Sequence, residues 1–197
     1  MNQPKRIAAI HDLSSFGRCS LAVIIPILSV MKKQVCAIPT TILSSHTGGL
    51  LSPVICDLPG YVADTLDHYQ KLQLDFDCIY SGYLGDAKHV ADCFAFMQAY
   101  PKALKVVDPV MGDHGIPYKH VTEQRIKRMK ELVQVADIIT PNLTEVYLLL
   151  DEPYVNSTLE FEVYRTLLQR LAELGPKQVV ITGARLIDGR IMNLGYD

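Results

Sequence analysis

Asp108 and Asp113 stand five residues apart in Lys105 to Asp113 (KVVDPVMGD). Two carboxylates in one short loop suit Mg2+, which takes oxygen ligands and shares its shell with water and substrate phosphates. Pro109 keeps the preceding residue out of the helical region, so an apolar strand would deliver Asp108 at its exposed end. Asp-Pro and Gly-Asp are equally common in turns, and the same run also reads as a plain turn. The stretch Ile138 to Leu150 (IITPNLTEVYLLL) places Thr140 at a helix N-cap and Pro141 at the first helical position, where a missing N–H costs nothing. Asn142 and Glu145 then share one edge of the first turn, beside a stripe of Leu143, Val146, Tyr147 and Leu150. A helix N-terminus favours anions, so Glu145 reads either as a site acid or as an ordinary first-turn acid.

Two further segments could hold a small polar molecule. Ile42 to Leu50 (ILSSHTGGL) is small and polar enough to bring hydroxyl, imidazole and backbone N–H groups to a ligand, although Gly48-Gly49 also fits a plain loop. His11 to Arg18 (HDLSSFGR) leads into a helix starting near Cys19; His11 reads either as a ligand contact or as a satisfied buried histidine. His89 and Cys93, four apart after Asp86, supply two potential metal ligands, too few for a site, and are assigned to packing. The sequence contains no P-loop, no G-x-G-x-x-G fingerprint, no G-x-S-x-G elbow and no H-E-x-x-H motif.

The elements that must position these residues are six nearly continuous apolar runs: Arg6 to Ile10, Val35 to Pro39, Cys78 to Ser81, Lys105 to Asp108, Asp137 to Thr140 and Gln178 to Thr182. Runs of this kind suit strands covered on both faces, as in a parallel sheet. Between them lie helical patterns. Asp86 is a plausible N-cap for a stripe of Ala87, Val90, Ala91, Phe94 and Met97 that stops at Pro101. Ser157 and Glu160 form a capping-box pair before Phe161, Tyr164, Leu168 and Leu171, which end at Gly175-Pro176. Strand and helix alternating along the chain indicate an α/β layer fold with no linker dividing it. In such sheets ligands bind beyond the carboxyl ends of the strands. His11-Asp12, Gly82-Tyr83, Asp108-Pro109, Thr140-Pro141-Asn142 and Thr182-Gly183 all follow a run directly.

With 197 residues, 49% of them hydrophobic, the chain has enough apolar matter for one domain core without staples. A net charge of −2 offers no broad basic face, so nucleic acid is not expected as a partner. Five cysteines without a CxxC pair read as reduced thiols of a cytoplasmic protein. The longest apolar run, Leu21 to Met31, contains Pro26 and falls short of the roughly 20 residues that span a bilayer. It also makes a poor signal peptide, so no membrane partner is expected.

The segments AIHDLSSFGRCS, LSSHTGG, SGYLGD, VVDPVMGD, DIITPNLTE and VVITG, in that order, resemble the pyridoxal kinase branch of the ribokinase-like superfamily. TPNxxE with DPVMGD upstream marks the vitamin-kinase group, which includes hydroxymethylpyrimidine kinase; HTGG with SGY points to the pyridoxal side. The resemblance implies a three-layer α/β/α fold with a mostly parallel sheet. It also implies ATP-dependent phosphorylation of the 5′-hydroxymethyl group of a B6 vitamer, with Mg2+, often K+, and a homodimer. On that analogy Asp108 and Glu145 organise the metal, Thr140 lies by a cation, and Asp113 and Asn142 sit near the phosphates. Thr182 and Gly183 border the nucleotide. Asp12, His46, Thr47 and Tyr83 surround the pyridine ring, with Asp12 standing where many relatives have serine. The family's GTGD segment, whose Asp is the catalytic base, is not found within these residues, which read as lacking the family's C-terminal third. No catalytic residue is therefore assigned, and these 197 residues alone are expected to have little activity. Hydroxymethylpyrimidine kinase and a non-catalytic vitamer- or nucleotide-binding protein are the alternatives.

Overall fold

The computed structural model describes residues 3–47, 50–155 and 158–197. The chain forms two compact units, Met1–Lys105 and Val106–Asp197. The first runs β1 (Arg6–Phe16), α1 (Leu21–Val30), β2 (Gln34–Ser45), β3 (Ile55–Asp57), α2 (Tyr61–Lys71), β4 (Cys78–Ser81) and α3 (Ala87–Ala99), and the division falls inside β5 (Leu104–Val107). The second continues with β6 (Gly112–Asp113), β7 (Ile116–Pro117), α4 (Glu123–Gln134), β8 (Ile138–Ile139), α5 (Leu143–Leu150), α6 (Phe161–Ala172), β9 (Gln178–Arg185) and β10 (Ile191–Tyr196).

In the first unit β1 is central, parallel to β2 on one side and to β4 on the other, while β3 adds antiparallel to β2. Ala8, Ala9, Ile10, Ile38 and Ile79 are fully buried, which is why these runs carry no alternation. In the second unit β5, β8 and β9 are parallel neighbours and β10 closes antiparallel on β9. The expected mostly parallel α/β architecture is present.

Four sequence expectations change. β1 does not stop at Ile10 but continues to Phe16, so His11 and Asp12 lie within the strand. Its ladder with β2 slips there, His11 facing Pro39 and Leu13 facing Ile42, which leaves an extra β2 residue opposite Asp12. Likewise β9 runs past Thr182 and Gly183 to Arg185, sustained by its hairpin partner β10. In α3 Asp86 is the cap, accepting from the His89 N–H at 2.8 Å, but the buried stripe is His89, Val90, Cys93, Phe96 and Met97. Phe96 rather than Phe94 turns inward because it completes an aromatic cluster: Tyr100 lies edge-on to Phe76 at 5.0 Å, and Phe96 is 5.3 Å from Tyr100. In α6 Tyr164, Leu167, Leu168 and Leu171 are buried whereas Phe161 is exposed, and Tyr164 hydrogen bonds through its hydroxyl to the β9 backbone at Arg185. Ser157, and with it the proposed capping pair, lies outside the described residues, as do Gly48 and Gly49. No helix among the described residues is long and apolar enough to cross a membrane.

Candidate active site

In the second unit the start of α5 organises the acids. The N-cap is Asn142, not Thr140. Thr140 stays extended because its N–H donates to the Val107 carbonyl at 3.1 Å, and the next residues continue that path until Asn142 bridges Thr182 on β9. Asn142 Oδ1 accepts from the Glu145 N–H at 3.0 Å and Glu145 Oε2 accepts from the Asn142 N–H at 2.8 Å, a reciprocal capping box. The same two side chains also reach the loop after β5. Met111 N–H donates to Glu145 Oε1 at 3.1 Å, and Asn142 Nδ2 donates to the Gly112 carbonyl at 2.8 Å. Gly115 N–H adds a bond to Thr144 Oγ1 at 2.9 Å. Gly112 must lack a side chain, since a Cβ there would stand 2.6 Å from the Ile116 carbonyl oxygen. The β6–β7 hairpin turns through His114 and Gly115 at φ 50° and 78°, the pair of positive values that suits a tight hairpin.

Glu145 is only 3% exposed. Burial pushes its carboxyl up to about 8, the nearby Asp108 carboxylate adds to the rise, and the backbone N–H bonds oppose it without prevailing. Two carboxyl groups disfavouring each other's charge, with oxygen as the only donor type, fit a hard divalent cation held directly or through water. Of the other residues expected here, Thr140 is half-buried and Thr182 gives its N–H to the Pro141 carbonyl at 2.9 Å. Gly183 is exposed at φ 61° and its N–H donates to Asn193 Oδ1 at 3.1 Å. Asp113 is exposed, its carboxylate capping the His114 N–H at 2.8 Å. Glu145, Asn142 and Thr182 are thus bonded into one patch with Asp108 beside it; Asp113 and Gly183 keep free faces towards solvent.

In the first unit His11 and Asp12 are both buried. His11 Nδ1 lies 2.7 Å from Asp12 Oδ1, a contact that needs a proton between the two atoms, while the Asp12 N–H points at the same nitrogen from 2.9 Å and Ser14 Oγ donates to Oδ2 at 3.0 Å. The Tyr83 N–H points at the same nitrogen from 3.3 Å, so the proton position on His11 decides which neighbour it holds. Burial alone would raise the Asp12 carboxyl, but the hydrogen bond and charge of His11, with the hydroxyls of Ser20 and Ser14, outweigh it and hold the group below its ordinary value. Thr40 on the slipped stretch of β2 donates to the Tyr83 carbonyl at 3.0 Å. Gly82 is obligatory: a Cβ there would sit 2.0 Å from the His11 ring. His46 lies against Gly17, where φ is 106° and a Cβ would meet its ring at 1.9 Å, and its N–H donates to the Phe16 carbonyl at 3.1 Å. Thr47 is exposed at the strand end. Asp12 and Tyr83 are therefore linked through His11, with His46 placed separately by Gly17. Thr40 escaped the sequence reading, because a hydroxyl within a strand carries no motif, and Ser14 entered it only as part of the segment His11 to Arg18.

A family model for phosphomethylpyrimidine kinase matches residues 58–196, from the turn before α2 to the end of β10. The chain belongs to this family. Its similarities extend beyond the matched region. A pyridoxal kinase of Deinococcus radiodurans is 30% identical over 186 residues, covering 91% of this chain and 62% of that one. Among solved structures, a protein of Bacteroides thetaiotaomicron described as a candidate phosphomethylpyrimidine kinase, in a crystal form with pyridoxal, is 40% identical with a TM-score of 0.92, covering 98% of this chain and 68% of its own. The pyridoxal kinase of Lactobacillus plantarum is 32% identical with a TM-score of 0.85, covering 99% and 73%. The ribokinase-like α/β fold expected from the motifs is therefore shown. The chain spans 49% to 62% of the length of the first two curated relatives it matches.

Proposed function

We propose that the protein is an ATP-dependent kinase of B6 vitamers, transferring a phosphoryl group to the 5′-hydroxymethyl group of pyridoxal, pyridoxamine or pyridoxine. The observation that carries the phosphotransfer reading is the buried Glu145, pushed up to about 8 beside Asp108 and fastened to the loop after β5. Asp108 and Glu145 would hold Mg2+, which supplies positive charge to the phosphates during transfer. Phosphoryl transfer depends mainly on positioning and charge, and the bonds of Asn142 to Gly112 and of Glu145 to Met111 supply the positioning. Asn142 and Asp113 serve the phosphates, Thr182 and Gly183 border the nucleotide, and Thr140 lies by a monovalent cation such as K+.

On the vitamer side, Asp12, His46, Thr47 and Tyr83 meet the pyridine ring. Because His11 and Ser14 keep Asp12 ionised, it presents an acceptor to a ring N–H or hydroxyl, where a serine could present either role. Support for pyridoxal comes from the kinases of similar sequence and from the similar protein crystallised with pyridoxal. The family model itself favours a second reading, hydroxymethylpyrimidine phosphorylation. None of the described carboxylates is given the part of general base, and these 197 residues alone are expected to release little ADP.

The test is a coupled ADP-release assay on the product of the complete gene, with Mg2+, K+, and pyridoxal, pyridoxamine or hydroxymethylpyrimidine. Turnover with the vitamers supports the proposal, turnover confined to the pyrimidine transfers it to the second reading, and turnover with none of them overturns both.

A further inference from the structure

We infer that the first unit carries a second metal site, distinct from the acids at α5, built from Asp57, Asp86 and His89 and suited to a borderline divalent ion such as Zn2+. One donor atom from each of these residues lies within 4.8 Å of the other two. They come from three places in the fold: the end of β3, the cap of α3 and the first turn of α3.

Two observations beyond the clustering point to a ligand. First, His89 is 1% exposed and its Nδ1 is buried without a hydrogen-bond partner. Its Nε2 lies 3.3 Å from the Leu58 carbonyl, which accepts only if that nitrogen carries the proton. In the neutral ring that arrangement leaves Nδ1 as a lone pair, 3.0 Å from the carboxylate oxygen Asp86 Oδ1. Two lone pairs facing at that distance repel unless a proton or a metal ion lies between or beside them, and Nδ1 makes no hydrogen bond there. Metal-bound imidazoles show the same division of labour, the second nitrogen donating to a carbonyl that fixes ring and tautomer. Second, the donors converge on a space kept open by Gly85. A methyl group built on Gly85 would lie 3.3 Å from Thr41 Oγ1, 3.4 Å from His89 Nδ1 and 3.5 Å from Asp57 Oδ1. Thr41 donates to Asp57 Oδ1 at 2.9 Å, which orients that carboxylate towards the same space.

One imidazole nitrogen with two carboxylates favours zinc and its neighbours over Mg2+ or Ca2+, which prefer oxygen alone. Bound there, the ion would staple β3 to the start of α3 and to the segment after β4 that contains Tyr83. Asp86 would remain the helix cap, since its Oδ1 accepts the His89 N–H from 2.8 Å without using all its lone pairs.

The test titrates Zn2+ into the untagged full-length protein, stripped of metal and with its thiols blocked, and reads affinity by competition with a chromophoric chelator and melting temperature in parallel. The variants are Asp57→Asn, Asp86→Asn, which retains a capping side chain, and Gly85→Ala. One zinc per chain is expected, with a rise in melting temperature, and each variant should weaken binding at least tenfold while melting near the zinc-free parent. Co2+ in place of Zn2+ should give visible absorption that Asp86→Asn removes. Absence of zinc binding, or zinc binding unchanged in all three variants, would overturn the inference. Because Asp108 and Glu145 are untouched, loss of the vitamer-kinase reading would leave this result standing, and the converse holds.

Discussion

Glu145 and Asp12 are both buried carboxyl groups, yet burial pushes one up to about 8 and fails to raise the other. The difference lies in the neighbours. Glu145 has another carboxylate, Asp108, and only dipoles to offset it. Asp12 has His11 at 2.7 Å and the hydroxyl of Ser14 at 3.0 Å. The first unit therefore steadies the charge of its acid from within, whereas in the second the Glu145 carboxyl is held towards its neutral form, a bias that an incoming cation would reverse. On the proposed function, a countercharge built in beside Glu145 would weaken the attraction for a metal-bound polyphosphate.

The largest test of that contrast is Glu145→Gln. If the carboxyl serves a cation, this variant should lower the proposed Mg2+-dependent turnover of the full-length protein by at least about 10²-fold, in the range seen when a designed electrostatic contact is removed. Stability should move the opposite way. A carboxyl raised from 4.5 to about 8 destabilises the fold once it must ionise, so its penalty is absent below pH 4.5 and grows until about pH 8. Melting curves without metal should therefore show the glutamine variant gaining on the parent as pH rises through that window. A parent that keeps its full advantage at pH 8 would break the argument.

Gly82→Ala probes the other region. Its Cβ would enter the His11 ring at 2.0 Å, and His11 cannot yield without releasing Asp12. A cost of about 1–3 kcal/mol in denaturant unfolding is expected, as for other overpacked sites. Vitamer affinity should fall with it while nucleotide affinity stays unchanged.

Next in size is Asn142→Ala, set against Thr122→Ala on α4. Both remove a helix cap, since Thr122 accepts from the Arg125 N–H at 3.2 Å, and each should cost about 1 kcal/mol. Only Asn142 also holds the Gly112 carbonyl, so only its loss should weaken Mg2+·ATP binding. Equal effects on nucleotide affinity would remove the tether from the reading.

Much of this was legible in the residues. The apolar runs mark six strands at their correct places and Asp86 is the expected cap, whereas spacing alone pairs Asp108 with Asp113 and only the resemblance joins Asp108 to Glu145. What periodicity could not give was anything decided across the sheet. β1 and β9 extend past their apolar runs because β2 and β10 supply partners there. The α5 cap moved from Thr140 to Asn142 because a distant Val107 carbonyl claims the Thr140 N–H. His89 and Cys93 do pack in the buried face of α3, while Asp57, the third member of the inferred metal site, lies 32 positions before His89 and is brought near it by the β2–β3 pairing, which local spacing does not announce.

The smallest effect is expected from Asp12→Asn, and its sign separates the two acids most directly. A carboxyl held below 3.8 contributes stability that is present above that value and disappears as pH falls through its own lowered one. The parent should thus melt higher than Asp12→Asn at neutral pH and converge with it in acid, the reverse of the Glu145→Gln trend. The margin stays modest because asparagine keeps an acceptor for Ser14 Oγ. Melting curves of parent and variant from pH 3 to pH 8 decide it. A variant that outlasts the parent at neutral pH would mean that His11 does not compensate Asp12, and the two regions would then share one unsolved charge problem.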